Sequence, residues 1–225
     1  MTACVGAMLC FAGCNSVGDK PEDVVLEVLK KAQSGKADQE FLNKYCEGDT
    51  AKTFALMAEA LKGATFTVAY SFVDDDLAVV KIKQEGGKYP GVSYYDAKKG
   101  SGHWKIKIHM RANKDYWCIS QKTISQCVEA FKAVVKNEDT KFKEWCTKEF
   151  LGEFRDEFSK MPPNELEEMR KALDGIKIKG HEKKTMDGGD VIEVNCEMPH
   201  KDGRMGSLGI LLKMVDGKWR VHKLN

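Results

Sequence analysis

Several sets of side chains in this sequence are of types that could do chemistry. Tyr70, Tyr94, Tyr95, Asp96 and Asp190 supply a carboxylate base and acidic hydroxyl donors. Proton abstraction beside a carbonyl needs both kinds of group facing one apolar cavity. Asp96, however, stands by the turn sequence Lys98-Lys99-Gly100 and Asp190 by Gly188-Gly189, where solvated carboxylates are expected. No catalytic residue is assigned. The 5 histidines, His103, His109, His181, His200 and His222, share no metal-ligand spacing. The triplet Asp74-Asp75-Asp76 lacks the spaced carboxylates and Gly bend of a calcium loop. No metal and no cofactor is therefore expected. Trp104 and Trp219 would serve as ligand platforms, but their matching strand positions read better as packing. Cys46 and Cys146 fall at equivalent inward helix positions and read as buried thiols. A bridge among Cys118, Cys127, Cys146 and Cys196 is the alternative, with connectivity left open.

The bulk composition describes an ordinary folded body: 42% hydrophobic, 31% charged, formal net charge +2 over 225 residues. Lysines are interspersed with acidic residues, which gives no basic patch for nucleic acid. The first residues differ from the rest. Residues 2–13 are small and apolar, too short a run to span a bilayer but the length of a signal-peptide core. The run closes on Phe11-Ala12-Gly13-Cys14, which resembles the lipobox of bacterial lipoproteins. That resemblance implies a signal peptide over 1–13, cleavage before Cys14, fatty-acyl modification of Cys14 and a polar tether over 14–19. Multiple acyl chains would give the membrane attachment that one chain cannot. Phe11 stands where Leu is usual, and no Lys or Arg precedes the run.

The elements that must position the remaining residues follow from hydrophobic periodicity. Val25, Val28, Leu29 and Ala32 form a helical stripe after a start signal at Asp19-Lys20-Pro21-Glu22. A shorter helix carries Phe41, Leu42, Tyr45 and Cys46. A third, capped by Asp49 or Thr50, carries Phe54, Met57, Ala58 and Leu61 and ends at Gly63. The period then becomes two, with Phe66, Val68 and Tyr70 on one side, and four short strands follow as an antiparallel meander. The same order returns. Ile124, Cys127, Val128, Phe131 and Val135 make a stripe behind a capping box at Thr123-Ile124-Ser125-Gln126. Trp145-Cys146 answers Tyr45-Cys46, and an insert brings Phe150, Phe154 and Phe158 and a helix with Leu166, Met169 and Leu173. Strands resume after Gly175 and close on the hairpin Met214-Val215-Asp216-Gly217-Lys218-Trp219.

This reading gives an α+β chain of two tandem domains, over 20–112 and 117–225. Each has two to four N-terminal helices packed on a curved four-stranded antiparallel sheet. The short linker 111–118 carries apolar residues, which predicts touching domains. The opening Pro21-Glu22-Asp23-Val24-Val25 helix, the polar turn with Asp38 or Asp139, the aromatic second helix and the last strand with Trp-Lys-Ile or Trp-Arg-Val resemble the cystatin-like, nuclear transport factor 2-like superfamily, in particular its small bacterial lipoproteins. The resemblance implies a hollow between sheet and first helix, and a membership that spans isomerases, dehydratases and non-catalytic binding modules. The expectation is a non-catalytic binding module in the bacterial cell envelope. It would be held at the outer membrane, or the periplasmic face of the inner one, through acyl chains on Cys14, with a protein or small molecule as ligand. The alternatives are an isomerase- or dehydratase-like enzyme using one hollow, and a structural spacer.

Overall fold

The two runs of alternating residues become, in a computed structural model of the chain, two four-stranded antiparallel sheets, each in simple sequence order. Residues 18–109, 117–137, 140–186, 189–200 and 202–225 are described. The signal-peptide run, Cys14, most of the tether, the linker 111–116, Glu138-Asp139 and the Asp187-Gly188 turn lie outside the described residues. The chain divides into two compact units between Trp117 and Cys118.

The first unit runs α1 (Pro21–Gln33), α2 (Gln39–Tyr45), α3 (Asp49–Ala55), α4 (Ala58–Leu61), then β1 (Thr65–Asp74), β2 (Leu77–Glu85), β3 (Gly91–Lys99) and β4 (Trp104–His109). Pro21 opens α1 at the position where its missing N–H costs nothing. The Asp38 carboxylate caps α2 by accepting from the Phe41 N–H at 2.8 Å. The single third helix read from Phe54, Met57 and Leu61 is instead two pieces, broken at Leu56–Met57. Its cap is also different: Gly48, at φ 49°, precedes α3, and neither Asp49 nor Thr50 caps it. Thr50 is used otherwise, its hydroxyl accepting the Ile108 N–H of β4 at 3.2 Å. Val25, Val28, Leu42, Phe54 and Leu61 meet Val80, Ile82, Tyr95 and Ile106 in one buried cluster between helices and sheet.

The second unit runs α5 (Gln121–Val135), a 3-10 segment (Thr140–Trp145), α6 (Lys148–Lys160), α7 (Pro163–Asp174), then β5 (Lys177–Met186), β6 (Gly189–Pro199), β7 (Met205–Val215) and β8 (Lys218–Leu224). Helix α5 starts before the expected capping box: Ser120 is the cap, its hydroxyl accepting from the Thr123 N–H at 3.1 Å. Asp216 and Gly217 both take positive φ, 51° and 73°, as the tight closing hairpin requires.

The same contacts organise both units. The Trp104 indole N–H donates to the Asp19 carbonyl at 3.0 Å, just ahead of α1. The Trp219 indole N–H donates to the Cys118 carbonyl at 2.8 Å, just ahead of α5. Cys46 pairs in parallel with Ile106 and Cys146 with Val221, two residues beyond each Trp. The next N–H groups, of Glu47 and Thr147, donate to the Ile106 and Val221 carbonyls at 2.9 and 2.8 Å. The first strand of each sheet gains one extra residue at the same register. Val68 faces Ile82 and Tyr70 faces Lys81, leaving Ala69 over. Ile178 faces Cys196 and Gly180 faces Asn195, leaving Lys179 over.

Burial pushes the thiols of Cys46 and Cys146 up to about 12, with a nearby Lys105 pulling slightly the other way at Cys46, and that of Cys196 up to about 11. Thiolate is the reactive form, so these groups are inert while folded. In the folded chain at about pH 8, close to the ordinary thiol value, Cys46, Cys146 and Cys196 are expected to resist a thiol-specific disulfide reagent for hours, and to react within minutes in guanidinium. Peptide mapping of the labelled chain checks this; rapid folded-state labelling of Cys46 or Cys146 would contradict the packing.

Candidate functional site

The hollow between the helices and the first sheet is closed by side chains. Leu29, Leu42, Phe54, Leu61, Ile82 and Ile106 are each no more than 1% exposed. Tyr95 points into this layer, stacked on Phe54 with centroids 6.2 Å apart, and its hydroxyl accepts from the Ser93 hydroxyl at 3.2 Å. Burial raises the Tyr95 phenol, with Ser93 opposing. Among the described residues of the first unit no Asp or Glu is fully buried. The carboxylate-and-tyrosine pair that proton abstraction needs is therefore split by the sheet, because neighbours on a strand face opposite ways.

The other face of the first sheet collects the remaining candidates. Without the extra residue Ala69, Tyr70 would share the inner side with Val68. The bulge turns Tyr70 and Phe72 outward, which corrects the expected alternation Phe66, Val68, Tyr70. Tyr70 and Tyr94 then meet edge to face at 6.3 Å, and the Lys81 ammonium lies 5.5 Å from each ring. Trp117 stacks on Tyr70 at 5.2 Å and meets Phe72 at 5.1 Å. Tyr94 is 2% exposed.

Asp96 lies on this same face. It is not a solvated turn residue, which corrects the expectation from its sequence neighbours. It pairs across to Val79 and Lys107, and its Oδ2 contacts His109 Nδ1 at 3.1 Å. Its Oδ1 is buried with no hydrogen-bond partner among the described residues. Burial raises the Asp96 carboxyl, while His109 and Lys107 pull it down and Glu47 pushes it up. Asp190 is in the second unit, accepting from the Thr185 hydroxyl at 2.9 Å and paired with Lys183 at 2.8 Å.

The second sheet's corresponding face holds a carboxylate that sequence reading missed. Glu193 is 3% exposed, in ion-pair contact with Lys184, and accepts from the Asn225 amide at 2.7 Å. The Lys184 and Asn225 bonds hold its carboxyl below the usual range. Gly209 makes room: a Cβ there would sit 2.6 Å from Glu193 Oε1. The one signal in the sequence was a charge inside the apolar run Val191-Ile192-Glu193-Val194.

The other expected side chains are placed as follows. Trp104 and Trp219, 4% and 5% exposed, are packing residues tied to backbone and not platforms. His103 lies 3.0 Å from the Lys44 carbonyl and edge-on to Tyr45, and His222 lies 3.4 Å from the Thr147 hydroxyl. Among the described residues no cluster of three or more His, Cys, Asp or Glu side chains could hold a metal ion. Sequence reading also missed Lys81, Phe72 and Trp117 as partners of Tyr70, and an apolar groove of about 330 Å³ among α5, α6 and α7.

No protein-family model matches the chain, and no curated protein matches it. Among solved structures it overlaps an Ntf2-like protein involved in plasmid conjugation, at 12% identity and a TM-score of 0.27, over 88% of this chain and 92% of that one. A cystatin-like protein from Ruminococcus gnavus overlaps at 10% identity and 0.29, over 86% and 71%. Overlaps this loose carry no conclusion about mechanism. The α+β architecture rests on the chain's own strand order and register.

The folded-state value of the Asp96 carboxyl lies above its unfolded one. Asp96 therefore adds stability only while protonated. That contribution is complete below the ordinary aspartate value of about 4 and is lost as pH rises through the raised value. Asp96→Asn keeps an oxygen for His109 and carries no charge. It is expected to be at least as stable as the parent chain at about pH 7, with the difference vanishing near about pH 3. Urea midpoints at the two pH values check this; a variant clearly weaker at neutral pH would mean that the charged pair with His109 dominates.

Proposed function

We propose that this is a lipid-anchored protein of the bacterial cell envelope whose folded part binds a ligand and does no chemistry. The observation that carries the anchoring is the apolar run 2–13 ending in Ala12-Gly13-Cys14 and giving way at once to Asn15-Ser16 and a charged chain. Acyl chains on Cys14 would be the contact with the membrane. No described helix is long and apolar enough to cross one.

In this reading one helix-then-sheet domain, of the cystatin-like and nuclear transport factor 2-like kind, occurs twice. The support is the set of matching contacts: Trp104 with Asp19 and Trp219 with Cys118, Cys46 with Ile106 and Cys146 with Val221. The apolar filling of the first hollow leaves no seat for a substrate beside a base, which weighs against catalysis there. A catalytic reading has one observation on its side, the buried Asp96 oxygen that has no hydrogen-bond partner among the described residues and shares a sheet face with Tyr94. It is weaker, because Asp96 faces away from the hollow.

The test is the intact mass of the protein extracted from membranes. The expected result is a chain beginning at Cys14 and carrying a diacylglyceryl group and an amide-linked acyl chain. A chain that keeps residues 1–13, or starts at an unmodified residue, removes the anchoring.

A further inference from the structure

The second unit departs from the first in its helical layer, and the departure builds a groove. Where the first unit has the short α3 and α4, the second has the longer α6 and α7. Phe131, Phe150, Phe154 and Phe158 form a ladder of rings out of the core, with successive centroids 6.3, 5.3 and 3.6 Å apart. Its last rungs, with Val134, Leu151 and Leu166, floor the groove. Lys143, Arg155 and Arg170 line the same space, and no Asp or Glu does among the described residues. Lys143 and Arg155 are exposed and Arg170 half-buried.

Helix α5 ends here, and its free carbonyls would repel an anion. Arg170 answers that: its Nε donates to the Val135 carbonyl at 3.3 Å. The guanidinium offsets the helix end and, with Lys143 and Arg155, makes the described lining of the groove positive. A volume of about 330 Å³ is at the small end of ligand sites.

The geometry points to a binding site for a small amphiphilic anion, a carboxylate or similar acid group on a short aliphatic or aromatic body. The apolar body lies on Phe154, Phe158 and Leu166, and the acid group meets Lys143, Arg155 and Arg170. This deepens the binding-module reading and rests on it.

The experiment is isothermal titration of decanoate, below its micelle concentration, into the full chain carrying Cys14→Ser, so that no acyl group competes. Decanol is the uncharged comparison. Decanoate is expected to bind one per chain, about tenfold tighter than decanol. Lys143→Gln with Arg155→Gln is expected to remove most of that preference. Both side chains are exposed, so an unchanged thermal midpoint should confirm the fold. No decanoate binding to the folded chain, equal binding of decanol, or an unchanged preference in the double variant overturns the site. None of these bears on the mass of the membrane-extracted chain, so the two readings fail separately.

Discussion

An indole N–H reaching back to the backbone ahead of the first helix closes each unit. The Trp104 and Trp219 rings are nearly fully buried. Removing a side chain of that size from water is worth on the order of 4–5 kcal/mol before entropy is counted. The hydrogen bond adds only about 1 kcal/mol, but it decides where that burial happens. It ties the last strand to residues 85 and 101 positions earlier in the chain. A helix laid on a sheet can slide; a donor with one acceptor cannot. Two residues further along each strand, Ile106 and Val221 accept the chain leaving the second helical segment. The last strand thereby sets both ends of the helical layer.

The second constraint is the extra residue in the first strand. A sheet with one helical layer should put its apolar residues on one face only. The bulge at Ala69 sends Tyr70 and Phe72 to the other face, where Tyr94, Lys81 and Trp117 meet them. At the matching place in the second sheet the bulge at Lys179 leads into Gly180 and Glu182, and the outer face there is built on the Glu193–Lys184 contact. The same backbone device carries aromatic chemistry in one unit and ionic chemistry in the other. The two backbones match while their outer faces differ, and the groove among α5, α6 and α7 adds a difference on the helical side.

Most of the fold was legible because it depends on period and punctuation. The stripes at Val25–Ala32 and Ile124–Val135, the change to period two, and the Asp216-Gly217 turn all correspond to observed elements. What failed has local causes. The break at Leu56–Met57 interrupts a spacing that remains helical on both sides. Ser120 competes with Thr123 as a cap, and only the start of the stripe separates them. Asp96 looked solvated because Lys98, Lys99 and Gly100 follow it, yet β3 continues through Lys99 and buries one of its oxygens. A one-residue bulge leaves almost no trace in hydropathy, so the company of Tyr70 could not be read. The groove was invisible for a different reason. Its cations come from three separated segments and converge only in space.

One indole bond holds each unit shut, and hydrogen exchange of the tryptophan side-chain N–H protons tests this most directly. With ¹⁵N-labelled protein in deuterated buffer, the Trp104 and Trp219 indole protons are predicted to persist as long as the slowest backbone amides of their own sheets. Loss of either signal before those amides begin to exchange would show that the bond opens without the unit unfolding, and would contradict the account.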